Sequence, residues 1–448
     1  MNNTLKNVFL VSLGCPKNLV DSEIMLGSLE KAGYAVCPTA EAADLLLINT
    51  CGFIQSAVEE AIEEILALAR IKKDFPEKKL VVTGCLVQRY GTELQKEIPE
   101  VDLFIGTDGF QNIISQLEGL PTMSAPFLAS LVSPSFVMNT LTPRRLSTPS
   151  HRAYMKITEG CSNRCSYCMI PALRGDLRSR GLEDLLKEVQ IRDKTGVREL
   201  TLIAQDLTAY GIDFGKKDLN LVTLLKNILA HSSIPWIRLL YLYPARLQDE
   251  LLDLMAENPR ILPYLDLPLQ HVSDRILKLM NRPYSLAETE KLIERIRLKL
   301  PNSAIRTTFM TGFPGETEKD IDTLAQFMRN FELDHVGIFT YSNEEGCNAR
   351  KLPNHCPEEV KEQRRDRLME LQSSIAKKIN SRFIGKTEQV LVEGVSRESE
   401  LLLEGRTRFQ APDIDGCVYI NAGKCAAGEI VNVTISEAHI YDLVGEIV

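Results

Sequence analysis

Short apolar runs alternate with amphipathic stretches over residues 1–115 of the chain. The apolar runs are VFLVSLGC (8–15), LLLINTCG (45–52), LVVTGC (80–85) and VDLFIGT (101–107). The spacing of apolar residues between these runs predicts helices from about Asp21 to Lys31 and from about Ser56 to Arg70. Continuous apolar strands that alternate with helices are typical of a parallel α/β sheet, because both faces of such a sheet are covered.

The same alternation resumes after residue 150. Candidate strands are YMKIT (154–158), ELTLIA (199–204), WIRLLYLY (236–243), YLDLPL (264–269), IRTTFMTG (305–312) and HVGIFTYS (335–342). Helical stretches lie between them at about 182–194, 220–231, 246–256, 273–281, 286–300 and 317–331. Such strand–helix units predict a complete or partial TIM-type barrel, whose functional groups lie on the loops after the carboxyl ends of the strands.

The remaining segments complete the expected domain organisation. Residues 121–150 hold prolines among many Ser and Thr residues without any period, which predicts a linker. Residues 357–384 predict a charged helix, and the short strands after it are typical of a small antiparallel barrel of the OB or a related kind. The expected fold class is α/β, with an N-terminal parallel-sheet domain at 1–120, a linker at 121–150, a partial TIM-type barrel at 151–380 and a small β-barrel at 381–448.

Composition narrows the range of functions. The 448 residues carry 52 Lys and Arg against 60 Asp and Glu, a net charge of −8, and this balance disfavours a protein whose main partner is a nucleic-acid backbone. No apolar stretch approaches the roughly 18 residues of a membrane span. The count of 11 cysteines, odd in a long chain without a recognisable export signal, argues against a disulfide framework. We expect a reduced, cytoplasmic protein whose cysteines are ligands, catalysts or buried apolar residues.

One group of cysteines directly follows the predicted strand YMKIT, in the run Cys161-Ser-Asn-Arg-Cys165-Ser-Tyr-Cys168. Three thiolates at this C-x₃-C-x₂-C spacing can bind three irons of a [4Fe–4S] cluster and leave the fourth iron open. Zinc is the weaker alternative, because it takes a fourth protein ligand and only His151 lies near the run. Three buried cysteines without any ligand fit this tight spacing least.

A second group is dispersed along the chain. Cys15, Cys51 and Cys85 each come directly after an apolar strand of the N-terminal domain, one strand–helix unit apart. Equivalent strand ends lie along one edge of a parallel sheet, so these three cysteines are expected to converge there. The alternative is one buried cysteine per strand, which is common for a single position and less so for three. A second three-thiolate cluster with an open iron is the more specific of the two interpretations.

The C-x₃-C-x₂-C run resembles the signature of the radical S-adenosylmethionine (SAM) superfamily. The resemblance implies that SAM binds the open iron and that Tyr167, just before the last cysteine, packs on the adenine of SAM. With the second cysteine group and the C-terminal barrel, the whole chain resembles the methylthiotransferases, which combine an N-terminal three-Cys domain, a radical SAM barrel and a TRAM barrel.

The amino-acid sequences of several segments resemble those of the branch of this family that acts on a ribosomal protein. These segments are SLGCPKNLVDSE (12–23), INTCGFI (48–54), EGCSNRCSYCMIPALRGDLRSR (159–180), AQDLTAYG (204–211), LDLPLQHVSDRILKLMNR (265–282), GFPGET (312–317), FQAPDIDG (409–416) and IYDLVGEI (440–447). Cys347 stands where the family pattern has Thr, and we assign it no role. Four other cysteines outside the two groups are expected bystanders: Cys37, Cys356, Cys417 and Cys425.

The resemblance implies a radical reaction on an aspartate of ribosomal protein S-twelve of the small subunit. One SAM would supply a methyl group to sulfur associated with the cluster at Cys15, Cys51 and Cys85. Another SAM, cleaved at the cluster of Cys161, Cys165 and Cys168, would give the radical that removes a β-hydrogen, so that the product is 3-methylthioaspartate. A β C–H beside a carboxylate is too weakly acidic for a side-chain base, which is why a radical is required. The implied cofactors are two [4Fe–4S] clusters and SAM, with a low-potential electron donor such as flavodoxin or ferredoxin.

Polar residues near the predicted strand ends are candidate cofactor contacts. Gln205, Asp206, Gln270 and Arg306 are candidate SAM or substrate contacts, with ordinary hydrogen bonding as the alternative. Gly312 opens the GFPGET turn, which lacks the Gly-Lys-Ser/Thr ending of a phosphate loop and by resemblance helps to shape the SAM pocket. Residues 144–180 hold eight Lys and Arg against two acidic residues, and this charge fits an anionic cluster or substrate, with a solvated loop as the alternative.

The nearest alternative function is that of a transfer-RNA methylthiotransferase acting on a modified adenosine, which shares both cysteine groups. From Gly385 onward, however, five Lys and Arg stand against 11 Asp and Glu, a net charge of −6. An acidic barrel repels RNA and attracts a basic ribosomal protein, so direct RNA binding is not expected. A non-catalytic iron–sulfur protein is the alternative from another class, but an electron carrier has no use for an open iron.

Overall fold

The structure is a computed structural model that describes residues 6–120, 126–129, 131–216 and 218–448. The first residues of the predicted linker, 121–125, lie outside the described residues, as do 1–5, 130 and 217. The chain divides into two compact units, Met1–Ser147, Lys156–Asn163 and Cys168–Lys187 in one, and Thr148–Met155, Arg164–Tyr167 and Glu188–Val448 in the other. These units do not follow the predicted segments, whose boundaries stay predictions. No helix in the described part of the chain is long and apolar enough to cross a lipid bilayer.

A parallel sheet forms the centre of the first unit, with strand order β2-β1-β3-β4-β5-β6. Its strands are β1 Lys6–Ser12, β2 Tyr34–Val36, β3 Leu45–Thr50, β4 Lys79–Gly84, β5 Leu103–Ile105 and β6 Phe127–Leu128. Every residue of β3 is buried, as expected for a central strand of a parallel sheet. The predicted parallel α/β domain is therefore confirmed. Strands β2 and β6 are too short to show a pattern in the sequence.

The helices of this part are α1 Pro16–Lys31, α2 Gln55–Asp74, α3 Cys85–Glu97 and α4 Ile113–Glu118. Helix α1 begins at Pro16, earlier than the predicted start at Asp21, because proline at the first helical position has a suitable φ and no N–H to leave unpaired. Helix α3 was not predicted. It kinks at Tyr90, where φ is −127°, so its two short parts show no sustained helical period.

The middle of the chain contains β7 Arg152–Lys156, β8 Thr158–Glu159, β9 Arg178–Ser179, β10 Glu199–Ile203, β11 Trp236–Leu239, β12 Tyr264–Asp266, β13 Ala304–Thr311 and β14 His335–Thr340. Strands β11-β10-β7 form one sheet and β12-β13-β14 another, with parallel pairing between β10 and β11 and on both sides of β13. The backbone N–H of Leu242, just after β11, donates to the carbonyl of Asp266 in β12 at 2.8 Å and links the two sheets. The six strands thus follow one another in chain order as a partial TIM-type barrel, as predicted.

The helices around these strands are α5 Ile170–Arg174, α6 Leu182–Lys194, α7 Leu221–His231, α8 Asp249–Glu257, α9 Asp274–Leu279, α10 Leu286–Lys299, α11 Glu318–Phe331 and α12 Glu358–Asn380. Helices α10 and α11 each begin with a capping box, formed by Ser285 with Glu288 and by Thr317 with Asp320. A capping box satisfies backbone N–H groups that otherwise lack partners, which explains why both helices begin where they do.

The last strands close into a small barrel, in the order β15-β16-β17-β19-β18. They are β15 Thr387–Val395, β16 Leu403–Thr407, β17 Val418–Ala422, β18 Ile430–Ala438 and β19 Leu443–Ile447. The pairing is antiparallel except between β17 and β19, which run parallel. An odd number of strands cannot alternate in direction around a closed ring, so one parallel pair is unavoidable in the predicted small barrel.

Candidate cluster and cofactor sites

The N-terminal cysteine group lies where three adjacent strands of the parallel sheet end. Strand β3 lies between β1 and β4, and Thr50 at the end of β3 pairs with Gly84 at the end of β4. Cys51 and Cys85 are the next residues of these two strands and leave the sheet side by side. Cys15 follows β1 and caps the start of α1. The topology therefore brings the three cysteines to one edge of the sheet, while their role as ligands stays a prediction.

Two glycines allow the loops that carry these cysteines to approach each other. Gly14 has a φ of +88°, and a Cβ added there would lie 2.9 Å from Cβ and 3.3 Å from Sγ of Cys51. A Cβ added to Gly52 would lie 2.7 Å from Cα of Leu86 and 3.0 Å from the carbonyl carbon of Cys85. Carbon atoms in ordinary contact stand about 3.5–4.0 Å apart. A side chain at either position would push the cysteine loops away from each other.

A buried asparagine and a buried arginine hold this edge together. The amide of Asn18 donates to the carbonyls of Leu13 at 2.8 Å and Thr50 at 3.1 Å, so it joins the loops after β1 and β3. Arg174 donates to the side-chain oxygen Oδ1 of Asn18 at 2.7 Å and to the carboxylate of Asp21 at 2.5 Å. The guanidinium of Arg174 therefore reaches the cysteine edge from the helix that follows Cys168.

The charge of Arg174 belongs to a compact buried group. Lys156 lies 2.5 Å from Asp21 and 2.6 Å from Glu159, and Arg174 lies 3.5 Å from the other oxygen of Glu159. Burial raises the pKa of Glu159, but the charges of Lys156 and Arg174 outweigh it and bring the pKa to about 2. Buried charges require partners of opposite sign, and these four side chains supply them to each other.

The thiols at this edge differ in acidity. Burial, with a contribution from Cys85, raises the pKa of Cys51 to about 11, and burial also raises the pKa of Cys85. Burial acts in the same direction on Cys15, but Lys17 and Arg174 outweigh it and lower the pKa of that thiol. Metal ligands must be deprotonated, and a fixed cation favours the thiolate form. Three converging thiols beside Arg174 therefore suit an anionic iron–sulfur cluster.

The C-x₃-C-x₂-C run begins just after β8. The N–H of Cys161 donates to the carbonyl of Gly175 at 3.0 Å, and Gly160 before it has a φ of +70°. The sulfur of Cys168 accepts from the N–H of Ile170 at 3.5 Å. Cys161 is buried and Cys168 is half-buried. These contacts fix the first and last cysteines of the run through the chain on both sides of α5.

The middle of this run is held by residues that follow α9. The N–H of Ser166 donates to the carbonyl of Met280 at 3.0 Å, and the amide of Asn281 donates to the carbonyl of Arg164 at 2.6 Å. Asn281 has a φ of +57°, a left-handed conformation that asparagine tolerates better than most residues. Cys165 lies between these two hydrogen-bonded residues, so its main chain is held in place. The residue itself is half-buried.

Among the residues that the structure describes, no group of three or more His, Cys, Asp or Glu side chains is arranged to hold a metal ion. In a [4Fe–4S] cluster each cysteine binds a different iron, so the sulfurs do not converge on one point. Iron binding by the two cysteine groups stays a prediction.

Aromatic rings and one arginine surround Tyr167. Its hydroxyl accepts a hydrogen bond from Arg282 at 2.8 Å, and its ring meets Phe313 edge-on with 6.5 Å between centroids. The guanidinium of Arg282 lies 4.8 Å from the ring centroid of Tyr243, which in turn meets Tyr284 at 6.4 Å. Arg282 and Tyr243 were not predicted as site residues, although Arg282 ends the quoted segment 265–282.

Three other candidate cofactor residues lie in loops after the carboxyl ends of barrel strands. Gln205 and Asp206 follow the carboxyl end of β10, and Asp206 is buried and accepts from Arg246 at 2.8 Å. Gln270 has a φ of +69° and donates to the Thr308 hydroxyl at 3.1 Å. These residues lie on or near the loops where a barrel of this kind binds its ligands.

Arg306 is the third residue of β13, toward the amino end of the strand. It pairs with Asp266 at 2.9 Å and with Asp415 of the C-terminal segment at 3.7 Å. The structure thus places Arg306 apart from the carboxyl strand ends, and its predicted contact with SAM or substrate stays untested.

Buried charged side chains hold the turn that begins at Gly312. Gly312 has a φ of +74°, and its N–H donates to the carboxylate of Glu316 at 2.8 Å. Glu316 is fully buried and also accepts from Arg364 at 2.9 Å. Its other oxygen lies 3.4 Å from Nε2 of His271, whose Nδ1 accepts two backbone N–H groups and so leaves the proton on Nε2. This arrangement holds the turn in one conformation.

Comparisons with known proteins agree with these features. Residues 7–106 match the uncharacterized protein family UPF0004, residues 155–328 the radical SAM superfamily and residues 384–448 the TRAM domain. A solved radical SAM methyltransferase, TsrM from Kitasatospora setae, covers 75% of this chain and 73% of its own, with a TM-score of 0.57 and 14% identity. The cobalamin-dependent SAM radical enzyme OxsB covers 83% of this chain and 56% of its own, with a TM-score of 0.53 and 11% identity. Fold and sequence together define a radical SAM protein, and this superfamily implies SAM and a [4Fe–4S] cluster.

The relatives in sequence are more specific. The ribosomal protein uS12 methylthiotransferase RimO of Desulfotalea psychrophila is 56% identical over 440 residues, 98% of either chain. RimO of Geobacter sulfurreducens is 46% identical over 448 residues, 100% of either chain. The chain therefore belongs to the RimO family of ribosomal protein uS12 methylthiotransferases, where uS12 is the S-twelve protein of the sequence prediction. The predicted resemblance is confirmed.

Proposed function

We propose that this chain attaches a methylthio group to the β-carbon of an aspartate in ribosomal protein uS12. The observation that carries the proposal is 56% identity over 98% of the chain to a relative named for that activity. When bound, SAM and a [4Fe–4S] cluster supply the radical that removes hydrogen from an unactivated carbon.

In this proposal each cysteine group has a separate task. Cys161, Cys165 and Cys168 would hold the [4Fe–4S] cluster that supplies the electron for SAM cleavage, and Tyr167 would pack on the adenine of SAM. Cys15, Cys51 and Cys85 would hold a second cluster, which would supply the site for the sulfur and the methyl group. The converging strand ends, the glycines without room for a side chain and the buried cation Arg174 support the second site.

The braced turn at Gly312 and the polar residues after β10 and β12 orient SAM in the barrel. Glu316 accepts the N–H of Gly312, and Lys361 packs so closely that a Cβ at Gly312 would lie 2.1 Å from its Cγ, so the turn is held by contacts with both residues. A preorganised pocket of this kind positions a cofactor without further rearrangement. An external donor of low potential, such as flavodoxin or ferredoxin, supplies the electron.

The charge of the C-terminal barrel favours a protein substrate over transfer RNA. Its arginine Arg406 is only 4% exposed and pairs with Glu199 and Glu393, so it is unavailable to a phosphate backbone. The exposed cations of this segment are Lys386, Arg397 and Lys424, against the exposed acids Glu398, Glu400, Asp413, Glu429, Glu437 and Glu446. An acidic surface attracts a basic ribosomal protein and repels RNA.

The reaction class is tested by anaerobic reconstitution of the whole protein with iron and sulfide, followed by SAM and dithionite. We expect 5′-deoxyadenosine from the wild type and from the control Cys37→Ala, and none from Cys161→Ala. Absence of this nucleoside from wild-type protein with an intact cluster would contradict the proposal.

The second cluster is tested by counting iron in the variant Cys15→Ala/Cys51→Ala/Cys85→Ala. If two clusters of equal size are present, this variant should lose about half of the iron of the wild type. An unchanged iron content would show that these cysteines are not ligands.

A further inference from the structure

Arg282 is a buried cation without a carboxylate partner among the residues that the structure describes. Arg282 is 9% exposed, and the charged or polar side chains that act on it in the described part of the chain are tyrosines and Cys165, with no Asp or Glu in an ion pair. Its contacts are the Tyr167 hydroxyl at 2.8 Å and the Tyr243 ring at 4.8 Å. Its Nε is buried and has no hydrogen-bond partner in the described part of the chain.

Two other buried arginines, in contrast, pair with carboxylates. Arg238 is fully buried and pairs with Glu199 at 2.5 Å, and Arg174 pairs with Asp21 at 2.5 Å. A buried charge without a partner is strongly destabilising, whereas a paired one is tolerated. The exception at Arg282 therefore points to a partner anion other than a carboxylate of the described residues.

The surroundings of Arg282 identify the place of that anion. Residues 164–166 are tied to Met280 and Asn281, immediately before Arg282 in the chain. Burial raises the pKa of Tyr284 and of Tyr243, and for both rings the nearby Cys165 thiol adds to the rise. Together with the backbone ties at Arg164 and Ser166, this places Cys165 close enough to Arg282 and to the two tyrosines for their charges to interact.

We propose that Arg282 is the counter-cation of the iron–sulfur cluster held by Cys161, Cys165 and Cys168, and that it raises the reduction potential of this cluster. The inference rests on the proposed function, because it requires that these cysteines bind the cluster. Reduction adds one negative charge to a cluster that thiolates already make anionic. A fixed cation nearby favours the reduced form over the oxidised form, and local charge is among the factors that set such potentials.

The test measures the potential directly and does not depend on product formation. In the Cys15→Ala/Cys51→Ala/Cys85→Ala background only one cluster remains, and its reduction is followed by electron paramagnetic resonance at controlled potential. Arg282→Gln keeps a hydrogen-bond donor for Tyr167 but removes the charge, whereas Arg282→Lys keeps a charge. Arg295→Met is the control for loss of a positive charge elsewhere, because Arg295 is a surface residue paired with Asp249 at 3.2 Å.

We expect Arg282→Gln to disfavour reduction about tenfold, which is about 59 mV for a one-electron couple. Arg282→Lys should recover most of this change, and Arg295→Met should show none. An Arg282→Gln potential equal to that of Arg295→Met would overturn the inference. Should Arg282→Gln fail to retain iron, retention by Arg282→Lys supports the inference and equal loss in both contradicts it. Failure of the cluster assignment on which the inference rests is distinguishable, since the background protein would then carry no cluster at all, whichever residue occupies position 282.

Discussion

The crowded edge that carries Cys15, Cys51 and Cys85 can be tested by comparing two glycine substitutions. Gly14 and Gly33 have nearly the same left-handed φ, +88° and +89°. A Cβ added to Gly33 meets nothing within 4 Å, whereas a Cβ added to Gly14 would lie 2.9 Å from Cβ of Cys51. The backbone strain is therefore matched, and the difference between the two alanine variants isolates the contact with Cys51.

The magnitude of this difference follows from the geometry. A left-handed alanine costs about 1–2 kcal/mol, so both variants should lose about that much unfolding free energy. In Gly14→Ala, Cys51 must in addition retreat by about 0.6–1.1 Å from the 2.9 Å contact to reach an ordinary carbon–carbon distance. Metal sites tolerate errors of only about 0.2 Å in their ligand distances, so a movement of that size removes a ligand.

The assay is the iron and sulfide content of both variants after anaerobic reconstitution, together with their denaturant unfolding. We expect Gly33→Ala to be destabilised and to bind iron like the wild type. Gly14→Ala should be destabilised at least as much and lose about half of its iron, the share of one of two equal clusters. Equal iron in both variants would refute the argument that Gly14 makes room for a cluster ligand.

Three further predictions follow from the charged groups. Arg174→Met leaves buried Asp21 with Lys156 alone and should cost about 3–5 kcal/mol in denaturant unfolding, with partial recovery in Arg174→Lys; a loss below 1 kcal/mol would be inconsistent with the observed network. Glu199, which pairs with Arg238 and Arg406, has its pKa lowered to about 2 from an ordinary value of 4.5, because these cations outweigh the effect of burial. Ionised Glu199 contributes about 3 kcal/mol to the unfolding free energy above pH 4.5, and this contribution is lost as the pH falls through about 2. The stability difference between wild type and Glu199→Gln should therefore shrink over that pH range. A stability difference that is independent of pH would contradict this prediction. Reversal of exposed charges in Glu398→Lys/Glu400→Lys should lower kcat/KM for uS12 and weaken the salt dependence of this parameter, whereas unchanged values would exclude an electrostatic role for this surface.

Much of the architecture could be predicted because it rests on local periodicity. Strands β3 and β4 are continuous apolar runs, and the ends of such strands in a parallel sheet share one edge. This topology was enough to bring Cys15, Cys51 and Cys85 together from residues far apart in sequence. Helix α3 was not predicted, because its helical period breaks at Tyr90. The parallel pairing of β17 with β19 depends on closure of the barrel, and no local sequence pattern indicates it.

The charged partners of the cysteine groups could not be predicted in the same way. Arg174 reaches Asp21 and Asn18, more than 150 residues earlier in the chain, and Arg282 reaches Tyr167 across 115 residues. Their sequence surroundings give no signal of these contacts, which only the folded backbone creates. Arg306 shows a different failure, since the predicted strand 305–312 already placed it near the amino end, away from the carboxyl ends where barrels of this kind bind their ligands.

The central claim, that uS12 is the substrate, is tested most directly by mass spectrometry of uS12 and of transfer RNA from cells that lack this gene. The strain is complemented with the wild-type gene, with Cys161→Ala or with the control Cys37→Ala. We expect the methylthio group on the aspartate of uS12 to be absent from the deletion strain and from Cys161→Ala, and restored by the wild type and Cys37→Ala, with transfer RNA unchanged throughout. Loss of a methylthio group from transfer RNA, with uS12 still modified, would contradict the account.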